Sequence, residues 1–145
     1  MSTKKKIAIA VGMLLLLAVF INIFIEEAAL QDTLNDERAA ARYTFSTNQL
    51  FRVMTYNQLQ AKDYVGRIVT VHGQVAYIGQ YKNAPEWYYV SLYTFDTSRI
   101  RCEIRDIYVN DLKKLSKDNY VRIKGRLLKR DIDGDVVLVN CVIVK

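Results

Sequence analysis

Two stretches constrain the fold of this chain more than anything else in it. YVGRIVTVHGQVAYIGQY (residues 64–81) and YVRIKGRLLKRDIDGDVVLVN (120–140) both alternate apolar with polar residues. Both also place one glycine at the same point, VTVHGQV against VRIKGRL. A period of two is the mark of a strand with one buried face. A glycine inside such a strand marks a bend or a bulge, because a backbone without Cβ lets a neighbour approach. Gly73 and Gly125 therefore read as matching corners of a sheet that curls and closes.

The remaining elements fit a closed sheet. From Ile68 to Ile78 the residues Val69, Val71, Gly73, Val75 and Tyr77 share one face, and Thr70, His72, Gln74 and Ala76 the other. Further strands are predicted at Trp87–Tyr93, Arg99–Ile104, Tyr120–Leu128 and Val136–Val144. The last is apolar on both faces, as expected of a strand lying between a barrel interior and a covering element. DIYVNDLKKLS (106–116) has Ile107, Leu112 and Leu115 at helix-compatible spacing. Three strands, a helix and two strands is the order of the OB-fold, a mainly-β, five-stranded Greek-key barrel. Ahead of it, Ser46 followed by Gln49 has the form of a capping box. Leu50, Val53 and Met54 then share a helical face, so a packing helix is predicted over 47–62.

Ile7 to Ile25 is a run of 19 uncharged residues. As a helix it rises roughly 28 Å at about 1.5 Å per residue, close to the thickness of a bilayer core. Lys4, Lys5 and Lys6 precede it and Glu26 and Glu27 follow, which predicts a cytoplasmic amino terminus and an extracytoplasmic remainder. The run exceeds a signal-peptide core, and Ala39-Ala40-Ala41 lies well beyond its end. An uncleaved signal anchor in the cell membrane is therefore expected over residues 1–25, with a cleaved leader as the alternative. Residues 26–45, rich in alanine and charge with an i,i+4 pair at Leu30 and Leu34, read as a solvated stalk. The domain is then 46–145. From Arg42 onward Lys and Arg outnumber Asp and Glu by 17 to 10, which permits anionic partners without selecting one.

The stretches YVGRIVTVHGQVAYI, IRCEI, DNYVRIKGRLL and VLVNCVIV resemble the tRNA_anti-like family of small bacterial OB-fold proteins, over about residues 46–145. The resemblance implies an OB barrel, often exported or membrane-anchored, with no well-established activity. The name records a fold likeness to anticodon-binding domains and does not itself imply tRNA binding.

Little in the sequence points to catalysis, and a non-catalytic protein is expected. His72 is the only histidine, and with Cys102 and Cys141 it makes a poor zinc set. No phosphate loop or nucleophile elbow is present, and no cofactor is expected. DIDGD (131–135) has Gly134 too early for a calcium loop and reads as a hairpin turn. Cys102 and Cys141 both fall on apolar strand faces. A disulfide between them, or two buried free thiols, would each satisfy the pattern.

The surface is more informative. Tyr88, Val90 and Leu92 are predicted to point into the barrel, with Ile100, Cys102 and Ile104 of the next strand. Trp87, Tyr89, Ser91 and Tyr93 then point out, beside Arg99, Arg101, Glu103 and Arg105. The flanking loops add Tyr81 and Lys82, and Lys129 and Arg130. Trp87, Tyr89, Tyr93, Arg99, Arg101, Tyr81, Lys82, Lys129 and Arg130 are thus the candidate ligand-binding residues. Aromatic rings beside cations are the chemistry of single-stranded nucleic acid or another extended polyanion. The alternative partner is a cell-envelope protein, since Trp, Tyr and Arg also dominate protein interfaces. A competing expectation is that the 47–62 helix lies across the aromatic face and uses it as core.

Overall fold

The structure is a computed structural model that describes residues 2–145; the side chains of residues 29 and 30 lie outside the described set. The proposed Leu30–Leu34 pair therefore falls outside it too. The chain divides into two units, residues 1–35 and 36–145. The first is helix α1, Thr3–Arg38, whose last turn belongs to the second unit. α1 contains the whole uncharged run and is long and apolar enough to cross a membrane.

The second unit is a closed barrel. Its strands are β1 (Tyr43–Ser46), β2 (Ile68–Gln80), β3 (Trp87–Tyr93), β4 (Arg99–Arg105), β5 (Tyr120–Arg130) and β6 (Val136–Ile143). The sheet runs β1-β2-β3-β4-β6-β5, and β5 returns to pair with β2. Strands β2 to β6 therefore form the five-stranded barrel of the OB-fold. Closure depends on the length of β2. Residues 68–74 pair with β5, and 75–80 pair with β3. Gly73 sits at this handover, where an added Cβ would lie 2.5 Å from the Thr47 methyl. Gly125 sits at the register shift between β5 and β6, where a Cβ would lie 2.4 Å from Cys141 Sγ and 2.9 Å from the Val139 carbonyl. Gly73 thus marks a change of strand partner and Gly125 a register shift, and each yields space to a neighbour.

The alternation survives in the core. Val69, Val71, Val75, Val90, Leu92, Ile100, Cys102, Ile104, Ile123, Leu127 and Leu138 are fully buried. It fails at one place that matters below. A bulge between Val75 and Tyr77 advances the phase of β2 by one residue. Ile78 then packs on the core and Tyr77, expected inside, is 59 % exposed.

Several elements differ from expectation. The helix predicted over 47–62 is two: α2 (Thr47–Tyr56) and α3 (Gln58–Tyr64). Asn57 leaves helical geometry between them (φ −128°, ψ 74°), and its side chain accepts from the Gln60 amide to cap the second. The capping box at the start of α2 is present, Ser46 Oγ accepting from the Gln49 amide and Gln49 Oε1 from the Ser46 amide. The stretch 106–116 forms only a 3₁₀ turn and α4 (Val109–Leu112), because Ile107 is exposed and Leu112 alone reaches deep burial.

The reading of 26–45 as a solvated spacer fails from Asp36 onward, over its second half. Asp36 and Glu37 are buried. Glu37 accepts two hydrogen bonds from Arg105, at 2.6 and 2.8 Å, and one from Tyr108 at 2.7 Å. Asp36 pairs with Arg126 and accepts from Asn140, while Lys124 Nζ donates to the Glu37 and Ala39 carbonyls. Beyond them β1 runs parallel to β2 along residues 69–72, whose edge β3 leaves open.

Cys102 and Cys141 are free and completely buried, so no disulfide is formed. Burial pushes the Cys141 thiol well up, and its neighbour Cys102 adds to the shift. Both act as small apolar fillers, Cys141 occupying the space that Gly125 leaves. DIDGD is a tight turn in which Asp131 Oδ1 accepts from the amides of Asp133 and Asp135. Among the described residues no group of three or more His, Cys, Asp or Glu is placed to hold a metal ion.

Candidate ligand-binding face

The outward residues of β3 and β4 lie opposite one another in register: Trp87 with Arg105, Tyr89 with Glu103, Ser91 with Arg101 and Tyr93 with Arg99. Their inward neighbours Val90, Leu92, Ile100, Cys102 and Ile104 are all fully buried, which fixes the phase.

An aromatic shelf spreads from β3 onto β2. The Tyr89 ring centroid is 5.0 Å from that of Tyr81 and 5.8 Å from that of Tyr77. Two backbone features place these rings. The bulge after Val75 turns Tyr77 outward, as described above. Gly79, opposite Tyr89 in register, leaves the strand bare where that ring crosses it. A Cβ at Gly79 would lie 2.5 Å from Tyr89 Cζ and 2.8 Å from Tyr77 Cε1. Burial, and after it Tyr77, raises the Tyr89 phenol above its ordinary value.

At the β2–β3 turn the Tyr81 amide donates to the Trp87 carbonyl, which sets the two side chains beside each other. Tyr81, Ala84, Trp87 and Glu103 line a notch of about 240 Å³. Tyr81 donates its hydroxyl to Glu103 Oε1 at 3.0 Å. Burial and the adjacent Glu103 carboxylate push the Tyr81 phenol up to about 12.

The remaining candidate residues do not gather there. Arg101 is 2.7 Å from Asp131 and 3.7 Å from Asp135 through Nη1, and its Nε is 4.0 Å from Glu103. Three carboxylates thus surround the one cation at the middle of the face. Arg99 turns its guanidinium to the carbonyls of Asp96, Thr97 and Ser98 and lies 5.0 Å from the Tyr93 ring centroid. Arg130 donates to the Gly134 carbonyl and lies 5.7 Å from the Phe51 ring centroid. Lys82 and Lys129 are exposed.

Helix α2 does not cover the shelf. Its Leu50, Phe51 and Met54 enter the core, and Phe51 meets Phe95, beyond the far end of β3 from Trp87. There Tyr93 lines a separate cleft of about 490 Å³ with Thr47, His72, Phe95 and Tyr120.

Sequence reasoning missed Tyr77, Gly79, Asp131 and Asp135 as parts of this face; it placed Glu103 there without counting it among the candidate ligand-binding residues. The pattern YIGQY, a glycine between two tyrosines, was a usable sign for the first two. Nothing local signalled that DIDGD would turn its carboxylates toward Arg101.

A closed five-stranded barrel of this strand order, with aromatic residues on its β2–β3 surface, is an OB-fold domain. The tRNA_anti-like family model matches residues 1–143, and the chain belongs to that family. Among solved structures, the chain is similar to a Klebsiella pneumoniae lipoprotein provisionally called nucleic acid-binding, at 22 % identity, TM-score 0.60, covering 70 % of this chain and 91 % of that one. Weaker likenesses include an OBody bound to hen egg-white lysozyme (20 % identity, TM-score 0.42, covering 57 % and 86 %) and RecG bound to a three-way DNA junction (18 %, 0.46, covering 79 % and 14 %). No curated protein matches the chain.

Proposed function

We propose that this protein is a membrane-anchored, non-catalytic binding module that holds single-stranded nucleic acid on the Tyr77–Tyr89–Tyr81–Trp87 surface. One observation carries the reading: three tyrosine rings, spaced 5.0–5.8 Å, lie on the outer surface of the OB barrel, Tyr77 exposed and Tyr81 and Tyr89 half-buried. Stacking on such rings supplies about 1–3 kcal/mol per base and tolerates any base. With Arg99 and Arg101 engaged internally, phosphate contacts fall to loop lysines such as Lys82, so stacking carries most of the affinity. α1 is the anchor in this reading, with a cytoplasmic amino terminus and the barrel outside. A reporter fused to the carboxyl terminus tests that topology.

Fluorescence anisotropy on the full chain in lipid nanodiscs, with labelled oligonucleotides, tests the ligand. Binding at low salt, weakened at least tenfold by Trp87→Ala or Tyr89→Ala, is expected, with a shallow dependence on salt. Absence of binding, or indifference to both substitutions, overturns it.

A second reading, docking of an envelope protein, is favoured by the three carboxylates within 4.0 Å of Arg101, which make the middle of the face acidic. Cross-linking from a photoreactive group at position 89 in native membranes separates the two readings.

A further inference from the structure

The notch beside the shelf holds more specific information than the shelf does. Its floor is a carboxylate, Glu103, one of whose oxygens takes the Tyr81 hydroxyl at 3.0 Å. An ionised carboxylate has about four acceptor sites and no donor. The Glu103 side chain is 26 % exposed and lines the notch, so a guest there can reach it. Its cationic neighbour does not use them. Arg101 Nε stands 4.0 Å away, beyond hydrogen-bonding distance, and the same guanidinium is committed to Asp131 at 2.7 Å. The walls are the flat rings of Tyr81 and Trp87, with Ala84 adding only a methyl group. A flat guest inserted here meets rings on its faces and acceptors at its edge. It is accepted if that edge carries N–H donors and rejected if it carries carbonyl oxygens, which would face the carboxylate with no proton between them.

Resting on the single-strand reading above, we propose that Glu103 reads the exocyclic amine of a base seated between Tyr81 and Trp87. The protein then prefers amino-bearing bases, cytosine above all among pyrimidines, over thymine and uracil. Cytosine presents N4–H₂ where thymine presents O4. Uracil matches the cytosine ring in size and thymine adds only a C5 methyl, so stacking does not favour cytosine. The Tyr81 hydroxyl has a positioning part. By donating to one oxygen it holds the carboxylate plane toward the rings.

The full chain in nanodiscs is titrated with labelled dC12 and dT12 at one fixed low salt concentration, as wild type, Glu103→Gln and Trp87→Ala. Wild type is expected to bind dC12 about tenfold more tightly than dT12, the scale of one hydrogen bond to a charged group. Glu103→Gln, whose amide both donates and accepts, is expected to bring the two within about twofold while still binding. Thermal unfolding of Glu103→Gln, expected to match wild type, shows that the change is local. Equal binding of dC12 and dT12, both lost in Trp87→Ala, overturns the base preference and leaves the single-strand reading standing. A dC12 preference that persists in Glu103→Gln also overturns the proposal, since another group must then be the reader. Failure of both oligonucleotides to bind overturns both readings. Capture of an arginine-rich peptide in their place assigns the notch to a protein partner.

Discussion

Arg101 and Arg105 stand four residues apart on the outward face of one strand and lie in different environments. Arg105 is closed in. Its side chain is 13 % exposed, its partner Glu37 only 2 %, and the guanidinium meets both carboxylate oxygens. The Glu37 carboxylate strengthens its hold on the proton. Arg101 is half-open, with one close carboxylate and two looser ones. The first arrangement clamps the end of α1 to the barrel. The second frames a surface that remains uncovered. The strand pattern is the same for both, and what differs is which distant segment returns to lie over each end. An outward position makes a residue eligible for a ligand surface, and the covering chain decides whether it stays on one.

Removing either arginine tests that contrast most strongly. Arg105→Ala strands the Glu37 carboxylate in a buried site, and a broken buried pair costs about 3–5 kcal/mol. Arg101→Ala leaves three carboxylates that water can reach, so about 1 kcal/mol or less is expected. Urea denaturation of the full chain reads both, and equal losses would abolish the distinction. Gly79→Ala comes next. The new methyl would press on the far end of a tyrosine ring, which can yield, so a destabilisation near 1 kcal/mol is expected. The shelf should suffer more than the fold, with oligonucleotide affinity down several-fold. Unchanged binding would show that Tyr89 need not lie across β2.

The clamp also predicts an acid response. The Arg126 guanidinium, donating to Asp36 at 2.7 Å, holds that carboxyl below its ordinary 3.8 against the opposing effect of burial, and Asn140 assists. A carboxyl lowered in the folded state stabilises fully above its unfolded value. That contribution fades as pH falls through the folded value, here below about pH 4. Urea midpoints compared at about pH 5 and about pH 3 should drop less in Asp36→Asn than in wild type. An identical drop would mean the Asp36–Arg126 pair carries no acid sensitivity of its own.

What could be read from the sequence was what neighbours in sequence decide. The five barrel strands, the inward set from Val90 to Ile104 and the Ser46–Gln49 cap depend on spacing of two or three residues, and the structure retains them. The bulge after Val75 was not legible, because an extra residue leaves the composition of a strand unchanged while reversing the side on which Tyr77 emerges. Asp36 and Arg126 are 90 positions apart, and no local pattern tells an acid that will be clamped from one that remains in solvent. The same limit applies at the proposed site. Arg101 was placed correctly on the outer face, but its charge is offset by Asp131 and Asp135 from a turn whose own residues only announced a turn.

The smallest effect concerns Tyr81, on the open side of the comparison. Its phenol is pushed up to about 12, first by burial and then by the Glu103 carboxylate, from an ordinary value of 10.0. A phenol raised in the folded state resists ionising there while the unfolded chain ionises freely. The resulting stabilisation is complete below about pH 10 and is lost as pH rises from about 10 toward 12. In an alkaline titration followed by tyrosinate absorbance, Tyr81, Tyr89 and Tyr108 should all lag behind the exposed tyrosines, and Tyr81→Phe should remove the latest component. Glu103→Gln should move it partway back, because the charge goes while burial remains. If Glu103→Gln leaves the late component unmoved, the carboxylate does not act on the phenol, and the geometry of the notch loses the contact that orients its floor.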